Sequence, residues 1–167
     1  MMKKTFFAVM VSIGILFSFS IIAQAEAMRV DVTSAEYGAD GNDTAEDKTA
    51  VFKALDAIAE NPDKGTVYFP AGTYYGKGNE IFLNLNNSKY SGITLEFAEG
   101  AYLNSNSGTE VHSALEINSQ VSGITIKGKV HSVKGRIFFN GTKNLICEDI
   151  VTDVNSATGN VFLADCD

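Results

Sequence analysis

The chain has 167 residues, with 13 Lys and Arg against 20 Asp and Glu and a formal charge of −7. That length suits one domain, and the acidic balance argues against nucleic acid and anionic membranes as partners and, on average, against an anionic polysaccharide unless a local basic groove overrides the mean. Two cysteines without a CxxC pair, and no HExxH, exclude a ready-made zinc or redox site.

Lys3 and Lys4 precede an apolar run from Thr5 to Ile22, and AQA at Ala23 to Ala25 supplies small residues at its end. This is the pattern of a secretory signal over residues 1–25, cleaved after Ala25. The rival is an uncleaved anchor, since the run approaches the length of a membrane span. Cleavage leaves 142 residues of the 167 and, with Lys3 and Lys4 gone, a charge of −9. The expectation is a secreted protein with no membrane partner after cleavage.

Residues 26–64 read as a strand, a turn and a helix. Val30 and Val32 alternate with polar neighbours, and YGADGND is turn chemistry. Thr44 followed by Asp47 resembles a capping box, after which Val51, Phe52, Leu55, Ile58 and Ala59 recur at helical spacing until Asn61 and Pro62. Thr44 is therefore expected to cap the helix.

Residues 65–167 contain only short strands. GTVYFPAGTYYGK, Gly65 to Lys77, breaks at Pro70 and Gly72 and resumes with two tyrosines, which makes a corner between strands. SGITL at Ser91 recurs as SGITI at Ser122, and KNLIC at Lys143 fits the same frame. A second series, IFL from Ile81, LEI from Leu115, IFF from Ile137 and VFL from Val161, advances by 34, 22 and 24 residues, so the first coil carries an insertion near AYLNSNSGTEVHS. With Leu115, Ile117, Ile124 and Ile126 inside, Glu116 and Thr125 point out, and Asn118, Asn140, Asn144 and Asn155 suit left-handed bends. The expected fold is an all-β solenoid, a single-stranded parallel β-helix with the helix lying over its open end. A β-sandwich is the rival, and it predicts hairpins and no fixed period.

EYGADGNDTAEDKTAVFKALDAI followed by GTVYFPAGTYYGK resembles the N-terminal signature of the pectate-lyase-like superfamily, which holds rhamnogalacturonases, polygalacturonases and related epimerases. The resemblance implies a right-handed parallel β-helix with an N-terminal capping helix and action on pectic or bacterial polysaccharides by lyase, hydrolase or epimerase chemistry. Calcium as a cofactor is implied by that analogy alone. The NTD, DD, GHG and RIK elements of the polygalacturonases in this superfamily do not occur in this sequence. The expected function is a secreted polysaccharide-active protein of this type, in an N-terminal portion without those motifs; the alternative is a non-catalytic glycan-binding or adhesive module.

Candidate site residues are few. Asp149 and Asp153 flank IVT, and Asp165 and Asp167 flank Cys166, two residues apart on one face of a strand and so able to share a cation or act as an acid pair. The bland alternative is ordinary turn carboxylates. His112 and His131 read as lone imidazoles on loops. Phe82, Phe138 and Phe162 are expected to form an outward aromatic ridge, with Phe138 and Phe162 stacking on glycan. Cys147 and Cys166 fall at different places on successive coils, which disfavours a disulfide. Val161 aligns with Ile137, so another strand is due just past Asp167; the coils are expected to be truncated, with self-association through the open last coil.

Overall fold

The computed structural model describes residues 27–78, 80–105, 112–152 and 161–166. The expected leader, residues 106–111 of the expected insertion, Asp153, Asn155 and Asp167 lie outside the described residues, as does the Phe162 side chain.

The strands run β1 (Met28–Asp31), β2 (Gly65–Phe69), β3 (Gly72–Tyr75), β4 (Leu83–Leu85), β5 (Thr94–Phe97), β6 (Ala101–Asn104), β7 (Ser113–Asn118), β8 (Thr125–Lys134), β9 (Arg136–Asn140), β10 (Ile146–Thr152) and β11 (Val161–Ala164), with helix α1 (Lys48–Glu60) after β1. Every described pairing is parallel. One sheet runs β1-β2-β5-β8-β6-β3 with β10 on β8, and the other runs β11-β9-β7-β4. β8 occupies two places because its first half continues the β2–β5 column and its second half the β3–β6 column.

The register explains why this sequence stacks. Val67, Leu95 and Ile126 lie one above another, as do Leu115 and Ile137, and Leu85, Ile117 and Phe139, all fully buried. Phe69 stacks on Phe97 with centroids 4.6 Å apart. Each such side chain contributes about 1.5–3 kcal/mol through burial, and the alternating polar residues face outward.

The repeated SGIT frame has a backbone cause. Lys64, Gly92, Gly123 and Asn144 all adopt φ between 52° and 76° and stand at equivalent places two residues before Thr66, Thr94, Thr125 and Ile146. One left-handed residue turns the chain into this sheet on each pass, which is why Gly and Asn interchange there. Of the asparagines expected in such bends, Asn144 takes the conformation, whereas Asn118 and Asn140 end strands and Gly141 (φ 68°) makes the turn after Asn140.

Two sequence expectations are corrected. α1 begins at Lys48 with Asp47 at the N-cap position, not Thr44. Glu46 does the work expected of Thr44, accepting from the Thr49 amide at 2.8 Å. Asp47 is buried and turned to the strands, where Oδ1 accepts from the Asp40 amide at 2.8 Å and Oδ2 from the Tyr75 amide at 2.9 Å. Glu46→Ala should therefore cost about 1 kcal/mol, while Thr44→Ala should stay within about 0.5 kcal/mol, measured by denaturant unfolding.

The second correction concerns β4. Leu83, not Ile81, pairs with Leu115, so this step is 32 residues and not 34. The two-residue slip keeps the alternation, so the error appears at the strand's start: Phe82 precedes β4 and turns fully into the core, its amide donating to Ser113 O at 3.0 Å. Phe82 is thus a packing residue and not part of an outward ridge.

α1 buries Val51, Ala54, Leu55, Ile58 and Ala59. These sit in one apolar cluster with Val30, Val67 and Tyr90. Phe52 meets the Tyr90 ring edge-on at 6.2 Å, and the Tyr90 hydroxyl donates to Asp56 at 2.8 Å.

Candidate functional site

The corner between the two halves of the larger sheet changes length from pass to pass. Glu96 and Tyr102 are separated by five residues, while their register partners Lys127 and His131 are separated by three. The shorter pass turns at Gly128, with φ 73° and its amide on Glu148 at 2.7 Å. The longer loop of the neighbouring pass, Ala98 to Gly100, brings Glu99 and Gly100 to the same place. The result is an open cleft of about 490 Å³ between Glu99–Tyr102 on one side and Gly128–His131 on the other.

Tyr102 and His131 share one outward column of β6 and β8, their rings edge to face at 4.8 Å. Lys129 is exposed beside them, and Glu99 is the single carboxylate among the lining residues. A partly exposed tyrosine face suits a pyranose ring, whose axial hydrogens pack on an aromatic surface, and an ammonium next to it suits an acid group on that sugar.

Charge supports this division. From Ile117 to Cys147 the sequence carries Lys127, Lys129, Lys134, Arg136 and Lys143 and no Asp or Glu. Arg29 is paired with Glu96 at 3.1 Å, Lys48 with Glu80 at 2.7 Å and Lys89 with Asp56 at 2.8 Å. Among the described residues no ion pair holds Lys127 or Lys129, although Asp149 lies in register beside Lys129 on the next strand. An acidic chain thus has one basic pass, and the cleft opens on it.

The residues singled out from sequence are scattered. Asp149 is exposed on β10. Asp165 is exposed just after β11, with φ 51°, at the place equivalent to Gly141, so its geometry is that of a turn. Asp149 lies within a strand of one sheet and Asp165 just after a strand of the other, and they form no pair; their proposed partners Asp153 and Asp167 lie outside the described residues. His112 directly precedes β7, whereas His131 lies within β8 and lines the cleft, not a loop. Phe138 is half-buried on the outward side of β9, in register with Glu116 and with residue 162 of β11. Cys147 and Cys166 are free thiols, and burial pushes the Cys147 thiol up to about 11, which makes it a poor nucleophile.

Among the described residues no three His, Cys, Asp or Glu side chains come together as a metal ion would require.

Tyr102, Lys129 and Glu99 were missed from sequence. The acid-free run from Ile117 to Cys147 was the available signal for the lysine, but it is lost when charge is averaged over the chain. Tyr102 and Lys129 are 27 positions apart and meet only through the β6–β8 register.

Comparison with known proteins finds a likeness in the N-terminal part of the chain. The family model described as rhamnogalacturonase A/epimerase, pectate lyase-like, matches residues 30–96. Residues 30–96 thus resemble that family. That segment contains α1 and the strands from β2 through most of β5, and it ends one residue before Phe97, where the cleft begins. An iota-carrageenase of Alteromonas macleodii is 40% identical over 50 residues, covering 30% of this chain and 10% of that protein. A solved structure of iota-carrageenase complexed to iota-carrageenan fragments aligns over 77% of this chain and 40% of its own, with 17% identity and a TM-score of 0.33. The chain thus spans a tenth of the curated relative's length and two fifths of the solved one.

Proposed function

We propose that this is a secreted, polysaccharide-active protein of the pectate-lyase-like type, a right-handed parallel β-helix with α1 as its N-terminal cap, and that the cleft of Tyr102, Lys129 and His131 binds an anionic glycan. The observation that carries the reading is the placing of Lys129, on the basic pass, beside an outward tyrosine. The pectate-lyase-like match and the partial likeness to a carrageenase support a polysaccharide as the ligand class. The local basic pass answers the objection that an acidic chain repels a polyanion, because screening confines the average field to about 8–10 Å at ordinary ionic strength.

Recognition, not bond cleavage, is the role assigned to these side chains. Glycoside hydrolysis generally uses two carboxyl groups across the scissile bond, and Glu99 is the one carboxylate lining the cleft. The leader fits delivery to where such glycans occur; mass spectrometry of exported protein should find an N-terminus at Glu26.

The test is calorimetric titration of the purified protein with a sulfated oligogalactan, an oligogalacturonate and a neutral oligogalactan. The acidic ligands should bind and the neutral one should bind at least tenfold more weakly, with Lys129→Ala losing about tenfold for the acidic ligands. Equal affinity for charged and neutral oligosaccharides, unchanged in Lys129→Ala, would overturn the reading.

A further inference from the structure

Glu99 lines the cleft together with Lys129, and the backbone beside each is held. The Ala101 amide donates to Ala98 O at 3.0 Å, which closes a β-turn with Glu99 and Gly100 at its centre, and φ 82° at Gly100 is the left-handed value of a type II turn. The turn is tied to the preceding pass twice, by the Ala98 amide on Phe69 O at 3.0 Å and by the Gly72 amide on Gly100 O at 2.9 Å. On the other wall Lys129 follows Gly128, whose amide donates to Glu148 Oε2 at 2.7 Å.

Both side chains are exposed. Among the described residues no ion pair joins Glu99 to Lys129 or to any other cation. Three residues earlier, Glu96 is neutralised by Arg29 at 3.1 Å, so the acid of the loop, and not that of the strand, keeps an unpaired charge on the cleft wall. Asp149 lies in register with Lys129 on the next strand. The one ammonium lining the cleft thus has a carboxylate on each neighbouring element. Such a site offsets one acid group of a ligand, and a second acid group placed beside the first meets negative charge.

We propose that Glu99 sets the charge density the cleft accepts: one acid-bearing sugar at Lys129, flanked in the same chain by a neutral sugar whose hydroxyl donates to Glu99. The proposal rests on the cleft reading for Lys129 and adds a residue that determines specificity within it. The cleft, at about 490 Å³, is large enough for neighbouring sugars of one chain to share its walls. A glycan with an acid group on every sugar brings like charge against Glu99, and two like charges a few ångströms apart at an exposed site are worth about fivefold in affinity.

The experiment is calorimetric titration of the purified protein, at low salt, with oligogalacturonate and with a half methyl-esterified oligogalacturonate of the same length, which keeps the sugar backbone and spaces the acid groups. The wild-type protein should bind the half-esterified ligand about fivefold more tightly. Glu99→Gln keeps an acceptor and should tighten the fully charged ligand about fivefold while leaving the half-esterified one within about twofold. Glu99→Lys should tighten the fully charged ligand further, and melting of both variants should match wild type, since Glu99 is exposed at the centre of a turn. Equal affinity for the fully charged ligand in wild type, Glu99→Gln and Glu99→Lys, with Lys129→Ala still weakening both ligands, would overturn the role of Glu99 and leave the cleft reading intact. Both ligands unaffected by Lys129→Ala would instead refute the cleft reading and the role of Glu99 with it.

Discussion

Asp47→Ala is expected to lower the unfolding free energy by about 3 kcal/mol, a large loss for a single polar side chain. Its two carboxylate oxygens serve backbone amides from separate parts of the chain, Asp40 in the loop before α1 and Tyr75 at the end of β3. The residue is 3% exposed, so truncation strands both amides away from water. It also severs the tie between helix and strands, since the Asp47 amide donates to Tyr75 O at 2.8 Å and Glu46 bridges to Tyr75. Asp47→Asn keeps one acceptor and should cost roughly half as much. Denaturant unfolding at neutral pH checks the order wild type, Asn, Ala; an alanine variant as stable as wild type would refute the role.

Acid should reveal the same group. Burial holds the Asp47 carboxyl above the ordinary carboxylate range although two amides pull it down. The folded protein therefore takes up this proton at a higher pH than the unfolded chain does. The proton-linked part of the group's contribution is therefore greatest at acid pH and is lost as pH rises through its folded value, while the hydrogen bonds to the two amides persist at neutral pH. Asp47→Asn should remove that part of the pH dependence and leave the rest of the curve in place.

The second large effect is expected at Gly128. A Cβ there would lie 2.2 Å from Phe97 O, and the backbone has φ 73°. The obstructing atom is a main-chain carbonyl at the cleft wall and cannot swing aside. Gly128→Ala should cost about 3 kcal/mol or more through combined strain and clash. Relief would have to come from moving Phe97 or Lys129, so glycan affinity should fall with stability, whereas Lys129→Ala loses affinity alone. A Gly128→Ala protein with unchanged melting and unchanged binding would show that the short corner does not shape the cleft.

The sequence made the stack legible and hid the site, for physical reasons. Alternation along Leu115–Ile117 and Ile137–Phe139 reports directly on which face is buried, and the recurring left-handed residue at Gly92, Gly123 and Asn144 leaves a visible Gly or Asn at a fixed place. Local patterns of this kind depend on near neighbours. Phe82 escaped because its position depends on where a three-residue strand begins, and a two-residue slip preserves the alternation. The helix start was misassigned because Asp47 follows a Thr at capping distance, while its carboxylate is recruited by Tyr75, 28 residues away. The cleft escaped because it arises from a difference in corner length between successive passes, visible only once Glu96 is paired with Lys127 and Tyr102 with His131.

The most direct test of the central claim, that the cleft on the basic pass recognises an anionic glycan, is chemical-shift mapping of the nitrogen-15-labelled protein during titration with a sulfated oligogalactan disaccharide. Saturable shifts should concentrate at Glu99–Tyr102 and Gly128–His131, weaken with added salt and be absent with the desulfated disaccharide. Shifts confined to the outer face of α1, or identical shifts with the desulfated sugar, would contradict it.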